Sequence, residues 1–524
     1  MKWSGSAKRK LQSISRTDLP GAGRFLPGDL LSCFCPQGSQ LLYMFQRRYL
    51  IVLYLLLPAL WLSSCATYNK QASSYYHYLR QGDYVKAATA LDDNKLLNKS
   101  RNRLLYLLER GKVCHLLHQW DSSNTYLNEA DNMIEDAGAS VKDLALGTLV
   151  NPMMQAYRAE SFEKYLVHYY KALNYLQLAR PQEALVEARR ISLETYAQQD
   201  KAGKNKYAED AFALILQGLI YERNTDINNA FIAYRNATDL YLAKSGSYYG
   251  TSIPAQLKKD LLRTAHQNGF ADELSRYERL LNTTYTPEAS PEGGELILFW
   301  ETGSAPVKIQ QDLYFSLIKN ADGAFFFTDA GGFYNVPYDI SNGYNANNIK
   351  LEDLRSFRVA LPDYQERPLL CTGASVTVNG TSFALEPAEN INTLAVATLK
   401  ERMLKELSSA LTRLAVKKLT EAAVRPPERK DNKKMTEEEK KKQEKKDNAR
   451  EAIALGLQLL NFATEKADTR NWQSLPHSIF YARIPLQKGE NNLLLNINGS
   501  GVPAISLRVN GAGGMQFSNV CTLR

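Results

Sequence analysis

Two hydrophobic periods divide this chain, and the switch between them constrains its fold more than any other feature. From about residue 70 to 285, apolar side chains recur at the i, i+3, i+4, i+7 spacing of one buried helix face. Leu216, Leu219 and Ile220 precede a polar turn, and Ala230, Ala233, Tyr234 and Ala237 follow it. The Pro- and Gly-bearing stretch 285–293 ends that pattern. Beyond it the period falls to two, in runs beginning at Leu296, Tyr314, Ser375 and Thr381. Asn379-Gly380 between the last two is a strong hairpin signal. Helical spacing returns over 390–424, with Leu404, Leu407, Leu411 and Leu414 on one stripe. A tract of mixed charge follows at 425–451. A second helix, from about 449 to 467, is expected to bury Ile453, Leu457, Leu460 and Phe462. Four short β runs then fill 476–524. The pattern predicts an α+β protein with a helical repeat domain over 65–285 and a β-rich domain over 294–388. A helical hairpin at 390–467 carries the charged insertion. Because a few strands alone bury too little, those of 476–524 are expected to pack on 294–388 as one interrupted β-sandwich.

The helical units have a common shape. Gln81-Gly82-Asp83-Tyr84 is followed by Ala87-Ala88, and comparable turns occur at Gln119-Trp120-Asp121, Arg180-Pro181-Gln182 and Asn224-Thr225-Asp226. These units resemble tetratricopeptide (TPR) helix pairs, though their spacing departs from the ~34 residues of a strict array. The resemblance implies a degenerate TPR-like α-solenoid, with a plain helical bundle as the alternative. Stacked hairpins form an extended concave surface, for which Tyr165, Tyr169, Tyr175 and Arg189 are the candidate partner-binding residues.

The N-terminal region carries an address. Arg47-Arg48 precedes fourteen uncharged residues, 49–62, too few to span a bilayer and interrupted by Pro58. Leu62-Ser63-Ser64-Cys65 then resembles a bacterial lipobox. That resemblance implies cleavage before Cys65 and acylation of its sulfur and new amino group, giving two or three chains and stable anchoring. Met44 reads as the true start, residues 1–43 as a segment upstream of it, and 44–64 as the signal peptide. No acidic residue follows Cys65 before Lys70, which favours the periplasmic face of the outer membrane. The formal charge of +9 is concentrated here. Residues 1–64 hold eight of the 64 Lys and Arg but two of the 55 Asp and Glu, so the remainder is near neutral and a nucleic-acid partner is not expected.

Catalytic patterns are missing from the sequence: it has no G-x-S-x-G, no phosphate-binding loop, no H-E-x-x-H and no paired C-x-x-C. Cys114, His115 and His118 cluster on one helix, but the spacing turns Cys114 away from the histidines, so no metal or other cofactor is expected. Cys371 and Cys521 lie in strand-like sequence and either bridge or remain buried thiols. Asp468, Arg470 and Trp472 could orient and stack a sugar or carboxylate, or they could close a junction between helix and sheet. Lys308 is a further candidate for an anion contact.

With the lipobox and the helical repeats, the stretches 467–476 and 300–308 resemble a family of bacterial envelope lipoproteins with TPR-like N-terminal halves, over most of 44–524. The resemblance implies a non-enzymatic role in envelope or peptidoglycan maintenance. The expected function is a lipid-anchored adaptor for a periplasmic or envelope protein. The alternative is glycan or peptidoglycan binding, or cleavage, by the β half.

Overall fold

The computed structural model describes residues 68–136, 152–202, 210–319, 321–322, 325–329, 331–332, 335–338, 357–424, 426, 436–499 and 501–523. The signal segment and Cys65 lie outside these residues, as do the side chains of Leu460 and Phe462.

After a single turn, α1 (Tyr68–Gln71), the described residues of the helical half form a row of five antiparallel pairs. They are α2 (Ser73–Gln81) with α3 (Tyr84–Asp92), α4 (Arg103–Leu116) with α5 (Trp120–Glu135), and α6 (Ser161–Gln177) with α7 (Pro181–Ala202). Next come α8 (Ala211–Arg223) with α9 (Ile227–Ala243), and α10 (Ala255–Gln267) with α11 (Ala271–Leu281). Each pair turns through one left-handed residue, at Gly82, His118, Ala179, Thr225 and Gly269 in chain order. Such a residue satisfies the last carbonyls of the first helix and reverses the chain. Side chains of Asp83 and Asp226 then cap the second helices of their pairs, accepting from Lys86 N and Asn229 N. Within a pair the helices approach closely. A Cβ on Gly218 would lie 2.3 Å from the Tyr234 ring, so that position of α8 tolerates no side chain. The fifth pair, turning at Gly269, was not separated by sequence pattern.

Among the described residues three four-stranded sheets follow, with a short hairpin of β1 (Ser247–Tyr248) and β2 (Thr251–Ser252) ahead of them. Sheet I has the order β10 (Glu386–Asn390), β11 (Ser478–Pro485), β3 (Glu295–Thr302), β14 (Met515–Thr522). Here β14 runs parallel to β3, from Met515 opposite Glu295 to Thr522 opposite Thr302. Sheet II is β13 (Ile505–Gly511), β12 (Gly489–Asn498), β8 (Gly373–Val378), β9 (Thr381–Ala384). Sheets I and II face each other across Leu296, Leu298, Trp300, Phe480, Ile484, Val376, Leu493 and Leu495. The other side of sheet I, with Ile297, Phe299, Ile479 and Tyr481, joins the core of the helical half. Sheet I is thus a middle layer, and β3 is buried on both faces. Full burial of Phe299 contributes about 1.5–3 kcal/mol.

Sheet III stands apart, with the order β6 (Asn335–Tyr338), β5 (Phe325–Asp329), β4 (Val307–Lys319), β7 (Phe357–Gln365). The long helix α12 (Ile391–Val424) starts in the main core with Ile391, Leu394 and Leu399, then lies on sheet III with Leu407, Leu411 and Leu414. Leu404, expected on this stripe, is 69% exposed. Met403 takes the place instead, because it falls four residues before Leu407 and bridges the two clusters. Helix α13 (Glu437–Thr464) returns beside the end of α12, through Asn461 to Glu421 and Lys417 to Glu465. Ile453, expected to be buried there, is exposed. Residues 437–453 of α13 extend past the last of these ties, and most of their side chains are exposed to solvent. None of the described helices is long and apolar enough to cross a membrane.

Candidate functional site

Helices α4, α6, α8 and α10, each the first of its pair, face sheet I, and the contact is built from buried charge. On α4, Glu109, Lys112 and His115 are spaced three apart and share a face. On β3, Glu301 has the same parity as Ile297 and Phe299, so it points at the helices. Lys112 Nζ lies 2.5 Å from Glu301 Oε2, and both side chains are fully buried. Tyr169 and Tyr170 of α6 donate their hydroxyls to the same carboxylate at 3.1 and 3.0 Å. From β14, Asn519 Nδ2 donates at 2.7 Å and Cys521 Sγ at 3.0 Å. Burial alone would raise the Glu301 carboxyl, but the Lys112 ammonium and these donors hold it down, to about 2. Burial and the Lys112 charge together push His115 down to about 4, so its ring is neutral between Asn174 and Asn519.

A second ionic seam joins α8 and α10 to the same sheet. Arg483 of β11 donates to Glu222 Oε2 at 2.8 Å and to Glu295 Oε2 at 2.6 Å. Arg263 reaches both Glu222 and Asp260. Burial works against the Glu222 carboxylate, yet the two guanidiniums hold it down to about 2.

The third seam is the segment 467–475, which runs between the first helices and sheet III. Its backbone N–H groups at Trp472 and Gln473 donate to Glu163 and Glu109, at 2.8 and 3.1 Å. Arg470 donates to Asn102 Oδ1 at 2.6 Å and to the carbonyl of Gln155 at 3.1 Å, and it pairs with Asp468 at 2.5 Å. Trp472 is fully buried, with its indole N–H on Ser474. It therefore offers no stacking face, and Arg470 and Asp468 are engaged with each other and with the helices. Lys308 is buried as well and pairs with Glu160 at 2.5 Å. Glu163, between the helix start and this segment, is raised to about 7 by burial and by the nearby Glu160 charge.

The residues expected to line a partner groove fall differently. Tyr165 and Tyr169 are buried in the core, Tyr175 is half-buried against it, and Arg189 is exposed on α7 in the outer row. The inner row is covered by the chain's own sheet, which corrects the open-groove expectation. Sequence reasoning missed Lys112, Glu301, Glu222 and Arg483. The available signal was a charged residue at an inward-parity position of a strand that is apolar on both faces.

Asp131, His168 and Glu187 bring three ligand atoms within 4.8 Å of one another. Lys171 Nζ already sits 2.8 Å from Asp131 and 3.0 Å from Glu187, and Arg190 also pairs with Asp131. An ammonium occupies the cation position, so this is an ion-pair cluster between α5, α6 and α7. Cys114 contacts Arg110, and His115 turns toward Asn174, so the sequence cluster is not assembled into a site. The three cysteines among the described residues are free: Cys371 lies in the sandwich core, and Cys521 beside Glu301.

These features define a TPR-like stack of helix pairs closed by a β-sandwich. No family model matches the chain, and no curated protein matches it. Among solved structures, MamA protein is 15% identical over 40% of this chain and 88% of that one, with a TM-score of 0.25. The TPR-like repeats of a putative kinesin light chain from Podosopora anserina are 14% identical over 41% of this chain and 92% of that one, at 0.29. The apo form of RapI is 12% identical over 43% of this chain and 56% of that one, at 0.30. None of these scores reaches 0.5, so the repeat character of the helical half stands on its own five turns and pairs.

Proposed function

We propose that the protein is a lipid-anchored scaffold at the periplasmic face of the outer membrane, and that it binds an envelope protein through its outward module of sheet III and the α12–α13 hairpin. The observation that supports this reading is the closure of the inner row by sheet I. A partner must then use surfaces that the chain leaves uncovered. Tyr314, Ile318, Leu404, Ile453 and Leu455 are five of eleven large apolar side chains exposed among the described residues, and all five belong to this module. Anchoring rests on the lipobox at Cys65. Two residues separate Cys65 from Tyr68, where α1 starts, a reach of roughly 10 Å. The helical half would thus lie against the membrane with the hairpin available beyond it.

A photo-crosslinking residue placed in living cells at Leu404, Ile453 or Tyr314 should capture one envelope protein. The same residue at Tyr169 should crosslink only within the chain. Capture from Arg189 on the outer helices, with none from the module, would move the interface and defeat this reading. In the same strain Cys65→Ser should release the chain from the membrane fraction, and retention would remove the anchor.

A further inference from the structure

A cavity of about 190 Å³ opens where the segment 152–160, β4, β7, α12 and residues 467–470 meet. At roughly 10–15 Å³ per ordered water it has room for a small solute rather than a single ion. Arg158, Lys308, Arg402, Arg413 and Arg470 line it against Glu160, Glu406 and Asp468. Most of these charges are matched. Lys308 and Arg402 share Glu160, Arg470 holds Asp468, and Arg413 pairs with Glu465 behind the wall. Two cationic groups have capacity left. Arg158 is exposed at the cavity and makes no ion pair among the described residues. The Arg402 Nε–H is buried without a hydrogen-bond partner, with Glu406 at 3.7 Å. Tyr157, Leu361 and Pro362 give the cavity a less polar side.

We propose that this cavity binds a small phosphate monoester, its phosphate between Arg158 and Arg402 and its organic part against Tyr157, Leu361 and Pro362. With Arg413 matched by Glu465, four basic lining groups face three acidic ones, and the unpaired Arg158 leaves a net positive charge that favours an anion. Guanidiniums from two separate elements suit a tetrahedral oxyanion that accepts from several directions. The phosphate could belong to a free sugar phosphate or to a phosphorylated lipid head group. A bound ligand would join α12 to the segment ahead of α6, so binding should raise the melting temperature. The proposal needs neither the anchor nor a partner, and it stands apart from the scaffold reading.

Titration calorimetry and thermal melting of the full-length Cys65→Ser chain would test it. The probes are glucose 6-phosphate, inorganic phosphate, succinate, and phosphatidylcholine vesicles with and without phosphatidic acid. Glucose 6-phosphate should bind and raise the melting temperature. Arg158→Ala, which removes no ion pair, should keep the fold and weaken binding at least about tenfold. Binding only to vesicles that contain phosphatidic acid, with the same dependence on Arg158, would assign the phosphate to a lipid. Equal affinity for succinate, no binding of any phosphate, or binding indifferent to Arg158→Ala would overturn the proposal.

Discussion

At the scale of single residues, the molecule depends on charges placed where water cannot reach them. Lys112 and Glu301 are both fully buried, and a buried pair tolerates loss of both partners better than loss of one. Lys112→Met leaves the Glu301 carboxylate without its counter-charge and should cost about 3–5 kcal/mol in urea unfolding. Adding Glu301→Gln should recover part of that cost, and a double variant weaker than either single would show that the two do not act as a pair. The pH dependence has a definite sign. Glu301 and Glu222 are held down to about 2 from 4.5. The stability they supply is present above about 4.5 and lost as pH falls from there toward 2. Acid unfolding of Lys112→Met should accordingly begin at higher pH. Little of this was legible beforehand. The run from Leu296 to Trp300 announces a buried strand, but the helix that meets Glu301 lies far away in sequence. Lys112 on its own reads as a solvated face. Asp468, Arg470 and Trp472 stood out by composition, and the structure places them inside a seam, because a junction between layers needs the same polar and aromatic groups that a ligand site would.

At the scale of elements, local rules act most plainly in the turns and least in the hairpin. Gly82 and Gly269 adopt the left-handed conformation that glycine favours, but His118, Ala179 and Thr225 adopt it too. Composition therefore finds some of these reversals and misses others. Helix α13 shows what sequence can establish without a partner. Its start is closed by a capping box of Thr436 and Glu439 and a Glu437–Lys440 pair. Most side chains of its first half are exposed, and isolated helices shorter than about 12–15 residues are marginal in water. Amides of 437–450 should therefore exchange with solvent much faster than those of 391–414, which lie on the main core and sheet III. Equal protection in hydrogen-exchange mass spectrometry would mean that the tip is held by contacts outside the described residues. Sheet III was hidden for a related reason. The alternation in β4 is visible, but only α12, chosen in three dimensions, separates this sheet from the sandwich.

At the scale of the whole molecule, the helical row and the sandwich share one core, since sheet I contributes one face to each. The two halves should therefore unfold in a single calorimetric transition. Two resolved transitions, one for each half, would show that the seams of Lys112 and Arg483 contribute little. The change of period near residue 285 revealed the two kinds of structure. It could not reveal that the second serves as the lining of the first, because no local pattern encodes which face of a sheet a distant helix will meet. The parallel pairing of β14 with β3 adds a constraint of timing. The strand at Glu295 is made well before its neighbour at Met515. At ~5–20 residues per second, roughly 10–40 seconds of synthesis separate the two. Until then the helices carry an unfinished inner wall, which only β14 completes.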